Sequence, residues 1–392
     1  MDFSFDESQL AVRESAIAVF EGLATTERVA EVEKTADRFD DRLWQELAKA
    51  NLLGICVPET YGGSGFGMTE VCLLLEQQGR TVAPVPLWAT LALGVLPLAK
   101  WGTSRQRESL LPGVAAGEIR LSAALSEVGS HRDGAPTISA VADADGRWRL
   151  NGTSSCVPQA HLAAGVVVPA RCSDGLVLAL VDPAGRGASL ERAETTDRQV
   201  HPHLHLDDVI VDASDVLAEP PRSAEVLASV LEMARTGLAA IALGVAEEAT
   251  GRAAAYLNDR HQFGRPLASF QGAKMRAADA WMDTEAMRVT LWEAAWRIDS
   301  GRPAADAVAV AKWWASEAGQ RVVHATQHLH GGMGADITYP IHRYFLWGKQ
   351  IELMLGSPPA ELDALGALLA ADLDAKSGCG DASKVPTASE RS

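Results

Sequence analysis

Thr137-Ile-Ser-Ala-Val-Ala142, Arg147-Trp-Arg-Leu-Asn151, Ala164-Gly-Val-Val-Val-Pro169 and Leu176-Val-Leu-Ala-Leu180 are short runs rich in β-formers, with Gly, Pro and Asp between them. Arg120–Leu125 and Val209–Val211 have the same character. Short runs separated by turn residues read as a small antiparallel sheet. On both sides the period changes. Upstream, apolar residues recur at three- and four-residue steps over Gln9–Leu23, Leu43–Leu52, Thr69–Gly79 and Leu87–Trp101, the helical spacing. The breaks are Pro58-Glu-Thr-Tyr-Gly62-Gly63, Pro84-Val-Pro86 and Gly102-Thr103, and Thr103 or Ser104 caps a helix toward Leu111. Downstream, longer helices are predicted over Ala224–Asp259, Gln271–Asp299, Ala304–Leu329 and Tyr339–Leu355. The expected fold is therefore α+β: an N-terminal helical domain (1–120), a middle antiparallel β domain (121–222) and a C-terminal helical bundle (223–370). The tail, 371–392, is polar and rich in Ala, Ser and Asp, and is expected to be disordered.

At roughly 100–200 residues per domain, 392 residues allow two or three domains. The net charge of -16 argues against non-specific binding to nucleic acid or to an anionic membrane, since both need a basic face. It leaves room for a phosphate held by a local Arg cluster. Cys56, Cys72, Cys156, Cys172 and Cys379 are odd in number and contain no CxxC pair, so neither a disulfide framework nor a zinc module is expected. The start, Met-Asp-Phe-Ser-Phe-Asp-Glu, is acidic, unlike a signal peptide. The longest apolar run, Leu87–Ala99, is short for a bilayer span and contains Pro97. A cytoplasmic protein is expected.

Several clusters carry possible chemistry. His201, His203 and His205 alternate with Pro202 and Leu204. On a strand they share one face, as metal ligands or as a solvated surface, and no fourth ligand is fixed by spacing. Arg260-His-Gln-Phe263-Gly264-Arg-Pro266 lies between two predicted helices; it is a plain connection, or a phosphate site built on the guanidinium fork. His328-Leu-His330-Gly331-Gly332-Met-Gly334 follows a helix. It is a helix end, or a loop whose glycines let a ligand approach backbone N–H groups. It lacks GxGxxG and a preceding strand, which disfavours a Rossmann site. Ser126 is not in a GxSxG elbow, and no P-loop is found.

Taken together, residues 2–370 resemble the acyl-CoA dehydrogenase family. Val57-Pro-Glu-Thr-Tyr-Gly62-Gly63 is similar to its VPEEYGG segment. Glu76–Arg80 with Pro84, and Leu110-Leu-Pro112 with Gly117-Glu118, match its EELGR…AP and LP…GE segments. Arg260–Gly264 with Gln271 looks like RxxFGxxxxxxQ, and His330–Gly334 with Tyr339-Pro340 like QxxGGxG…YP. The resemblance implies the acyl-CoA dehydrogenase-like fold, its last domain a four-helix bundle, and an FAD enzyme acting on acyl-CoA thioesters. A carboxylate removes the α-proton while the β-hydride goes to flavin N5, and an electron-transfer acceptor reoxidises the flavin. It also implies that FAD spans two subunits, the neighbour holding the ADP half. Here that would be done by Arg260, Gln262, Phe263, Gln271, His328, Gly331 and Gly332.

The departures from the family pattern shape the expectation. Counting from Tyr339-Pro340 puts Leu355 at the position of the family's usual catalytic Glu, and counting back from Arg260 puts Ala234 at the alternative one. Neither accepts a proton, so no catalytic residue is assigned; Glu352 and Glu232 are the nearby carboxylates. Ser126-Glu-Val-Gly-Ser130 replaces TEPxxGS, Cys156 stands where an aromatic residue packs on the flavin, and His328 replaces the Gln of QxxGG with Gln327 beside it. The expected role is the non-catalytic companion of a paralogous catalytic subunit (α2β2), similar to steroid side-chain acyl-CoA dehydrogenases. A homotetramer with a relocated base and a non-enzymatic acyl-CoA scaffold remain as alternatives.

Overall fold

In the computed structural model, residues 4–127 and 136–378 are described. Six helices form the first region: α1 Glu7–Leu23, α2 Thr26–Val32, α3 Asp41–Lys49, α4 Met68–Thr81, α5 Leu96–Trp101 and α6 Ser104–Ala115. Capping decides their starts. Asp6 and Gln9 bond reciprocally at the head of α1; Thr103 and Gln106 do so at α6, where the sequence predicts Thr103 as a cap. Where one helix was expected over 87–101, Trp88–Val95 is π-helical and runs into α5. Pro97 has no N–H to return to Leu93, and the chain reaches it in the wider register, Leu96 N donating to Leu91 O.

The middle region holds β1 Leu121–Ala123, β2 Ser139–Ala142, β3 Trp148–Ser154, β4 Gly165–Cys172, β5 Gly175–Val181, β6 Ala188–Glu191, β7 His203–Val211 and β8 Val216–Ala218. They form one sheet in the order β6-β7-β3-β2-β4-β5-β8. It is antiparallel except along one edge of β4, where β1 pairs in parallel over Leu121–Ala123 and β2 touches in parallel at Ser139. A parallel pair needs a long crossover, and the chain between β1 and β4 supplies it. Sequence reading missed β6 and β8 and the first six residues of β7, whose polar His203-Leu-His-Leu-Asp-Asp208 does not look like a core strand.

Five helices follow: α7 Ser223–Asp259, α8 Gln271–Asp299, α9 Ala305–Leu329, α10 Ile341–Leu353 and α11 Pro358–Gly378. The first four are the expected bundle. The last was not foreseen and continues past residue 370, where the polar tail was set; the rest of that tail lies outside the described residues. Helix α7 is long and apolar enough to cross a membrane, but 72% of its most apolar window is buried inside the fold. It is the central core helix. Helix α4 crosses it at two glycines. A Cβ on Gly244 would lie 2.0 Å from Glu76 O, and one on Gly79 2.1 Å from Ile241 O. One hydrophobic cluster joins both helical regions and reaches Leu121, Val167 and Leu217 of the sheet, so the β domain is fastened to the helices along that line. A second cluster fills the sheet itself.

Candidate functional site

A cavity of about 200 Å³ opens where the π-helical segment, the sheet and the turn after α10 meet. Trp88, Ser126, Cys156, His201 and Leu355 all line it. Positions 156 and 355, 199 residues apart, are two of those at which the sequence departs from the family pattern, and the fold brings both to the cavity wall. Both are left-handed, with φ of 50° and 54°, a region that non-glycine residues occupy at a cost. The Cys156 N–H donates to His203 Nδ1 at 3.2 Å, and its carbonyl accepts from Ser126 Oγ at 3.2 Å. Burial, then the nearby Glu127, pushes its thiol up, so it is no ready nucleophile. Leu355 is 3% exposed.

Glu127 was not singled out from the sequence. Its buried carboxylate accepts from Ser155 N at 2.5 Å and from Ser154 Oγ at 2.7 Å. Of the segment that stands in for TEPxxGS, Val128, Gly129 and Ser130 lie outside the described residues. Neither neighbouring carboxylate, Glu352 or Glu232, lines the cavity. Glu352 is bridged to Lys349. Glu232 has its carboxyl raised by burial.

The histidine run divides. His201 precedes β7 and is buried, its ring held below the usual range by burial. His203 receives the Cys156 N–H, and His205 bonds Thr153 Oγ1 at 2.9 Å and Glu191 at 3.1 Å. Among the described residues no group of three His, Cys, Asp or Glu could hold a metal.

The other predicted residues gather at the far end of the bundle. His261–Gln262 and Arg265–Pro266 pair as a two-residue hairpin whose turn is Phe263 (φ 54°) and Gly264 (φ 77°), the doubly left-handed turn hairpins favour. Phe263 is thrust outward, 90% exposed, and its positive φ is a strained backbone for a bulky residue. Arg260 and Gln271, the first residue of α8, are exposed beside it. Tyr256, in the last turn of α7, stacks on His330 at 4.7 Å. That contact brings the end of α9, with exposed His328, Gly331 and Gly332, to the same end as the hairpin. Gln327 is turned inward and donates to Gly334 O at 2.9 Å, so His328 is the outward residue of the two. Hairpin and cavity lie at opposite ends of α10, whose 13 residues span about 20 Å at 1.5 Å per residue.

A sequence profile of the acyl-CoA dehydrogenase N-terminal domain matches residues 6–118, and one of the C-terminal domain matches residues 224–365. "Acyl-CoA dehydrogenase FadE27" of Mycobacterium tuberculosis is 33% identical over 94% of this chain and 99% of its own length. The chain belongs to the acyl-CoA dehydrogenase family. Relatives in this family are oxidoreductases acting on CH–CH bonds, and its members bind FAD. A solved structure of a point variant of the "Tcur3481-Tcur3483 steroid ACAD" superposes with a TM-score of 0.88 at 47% identity, covering 94% of this acyl-CoA dehydrogenase chain and 99% of that one. The ChsE4-ChsE5 complex from Mycobacterium tuberculosis gives 0.88 at 33% identity, with 94% and 99% covered.

The two halves of an FAD fit this chain unequally. At the hairpin end the side chains point outward, and a Cβ added at Gly331 or Gly332 would meet nothing within 4 Å. Gly332 has an ordinary φ, so no contact or backbone requirement inside the chain explains it. At the cavity, Cys156 offers no aromatic face, and next to it in sequence Ser155 N and Ser154 Oγ are held by Glu127. The described residues of the cavity supply less for the ring half.

Proposed function

We propose that this chain is the non-catalytic subunit of a heteromeric, α2β2 acyl-CoA dehydrogenase. It lends the ADP-binding half of an FAD site to a paralogous partner that carries the base and the ring pocket. Bound FAD would supply the hydride acceptor for α,β-desaturation of an acyl-CoA thioester, with an electron-transfer acceptor downstream. The residues of this chain bind and orient. Arg260 meets the pyrophosphate with its guanidinium fork, helped by Gln262. Phe263 inserts an apolar wedge into the partner, and Gln271 and His328 flank the group. Gly331 and Gly332 let it approach the backbone.

The observation that carries the reading is the contrast between the two ends. One end is built outward for a ligand not enclosed by this chain, while the cavity is lined by Cys156 and Leu355, where the family pattern has an aromatic residue and a carboxylate. The likeness to complexes of two named components, one described as a steroid enzyme, supports a hetero-oligomer and a steroid side-chain thioester as substrate class. The test is co-expression with paralogous dehydrogenases that carry the base, purification and a flavin count. The complex is expected to hold about one FAD per pair of unlike chains, and the chain alone almost none. Near-stoichiometric FAD on the chain alone would favour the homotetramer. A complex with no dependence of flavin content on Arg260 would favour the scaffold.

A further inference from the structure

Two cations that do not line the cavity hold the turn that forms its wall. Between α10 and α11 the chain runs Met354-Leu355-Gly356-Ser357, and Leu355 and Gly356 both have positive φ, 54° and 127°. Carbonyls just past a helix end have no partner within the helix. Here each of two successive ones receives a cation. Arg235 on α7 donates from Nε to Leu355 O at 2.9 Å. Lys312 on α9 donates from Nζ to Gly356 O at 2.8 Å, to Ser316 Oγ at 2.6 Å and to Ile351 O at 3.4 Å. Lys312 has no exposed surface, and these three acceptors match its three donors.

Glu361, in the first turn of α11, is 1% exposed. Its Oε1 lies 3.4 Å from Arg235 Nε, yet neither carboxylate oxygen accepts a hydrogen bond. It therefore acts as counter-charge to the two cations rather than as an anchor of the turn. A Cβ on Gly356 would lie 2.1 Å from Glu361 Oε1, so the turn closes around that carboxylate. An apolar side chain of similar volume would fill the place of Lys312 at less desolvation cost. Packing alone thus does not explain an ammonium aimed at the turn.

We infer that Lys312, with Glu361 as its counter-charge, is a positioning residue that fixes the Met354–Ser357 turn and so keeps Leu355 in the cavity wall. The shape of the cavity is then set by side chains that never touch what enters it. This holds whichever subunit catalyses, and its failure would leave the subunit assignment standing.

The test is amide hydrogen exchange on the full-length chain, for wild type, Lys312→Met and Lys312→Met/Glu361→Gln at one pH. The reporters are Met354 N, bonded to Gln350 O, and Glu361 N, bonded to Ser357 O. Peptides spanning 350–361 should exchange about tenfold faster or more in both variants, the loss expected for hydrogen bonds to a charged group. Global stability should fall in the single variant, which strips Glu361 of one of two counter-charges, and recover in the double. If the single variant does not fold, the double carries the test. Wild-type protection at 350–361 in Lys312→Met would overturn the inference. So would protection that recovers together with stability in the double variant, the mark of a lysine that only fills the core.

Discussion

Lys312 sets the clearest pH signature at the scale of single residues. Burial holds its ammonium down to about 7, against an ordinary lysine near 10.5. Between those values the unfolded chain keeps a proton that the folded one has released, so folding gains stability as pH rises and loses it as pH falls through about 7. Urea unfolding at pH 7, 8 and 9 should show the wild type gaining up to about 1.4 kcal/mol per pH unit, the value for one proton, over Lys312→Met. Parallel curves would count against it. Arg260 makes a different prediction. It is exposed, so Arg260→Ala should leave the melting temperature unchanged. In the assembled complex it should weaken FAD retention by about 1.5–3 kcal/mol, the worth of a charge-assisted pair. Flavin remaining after dilution and gel filtration measures this.

Among the elements, α4 depends on a cap it does not own. Gly67 precedes it without a side chain, and Asp299, the last residue of α8, supplies the acceptor instead: Met68 N at 2.6 Å, Thr69 N at 2.9 Å and Thr69 Oγ1 at 2.5 Å. Burial raises its carboxyl even so. Asp299→Ala should cost about 1–2 kcal/mol, as for a lost N-cap, and Asp299→Asn less, since it keeps an acceptor; chemical denaturation checks both. Nothing local announces this contact, because its partners are some 230 residues apart. The cap at Thr103, with its partner Gln106 three residues on, was legible for the opposite reason. The same contrast separates the strands. Val166–Val168 declares a buried strand by composition, whereas His203–Asp208 is a strand only because β3 and β6 flank it.

The whole molecule leaves an apolar stripe unpartnered. Met275, Met282 and Val289 recur every seventh residue along α8 and are 59%, 56% and 54% exposed, with Trp281 beside them at 59%. The proposed complex would cover such an exposed stripe. Trp281→Glu with Met282→Glu should shift the co-purified complex to smaller species by light scattering, with the helical circular dichroism unchanged. Retention of full size would place the interface elsewhere.

The sequence by itself determined the helical–β–helical order, the period of each region and the residues of the outward-facing end. Those signals are local: periodicity, turn chemistry, and motifs such as Arg260–Gly264 that keep their spacing along the chain. Only the tertiary structure decided that Cys156 and Leu355 share a cavity, that Glu127 takes the Ser155 N–H, and that Lys312, Arg235 and Glu361 converge on one turn. Each of these depends on which elements pack together. Nothing local marks Lys312 among the alanines and valines of Val308–Ala318 as buried; only packing against α7, α10 and α11 decides that.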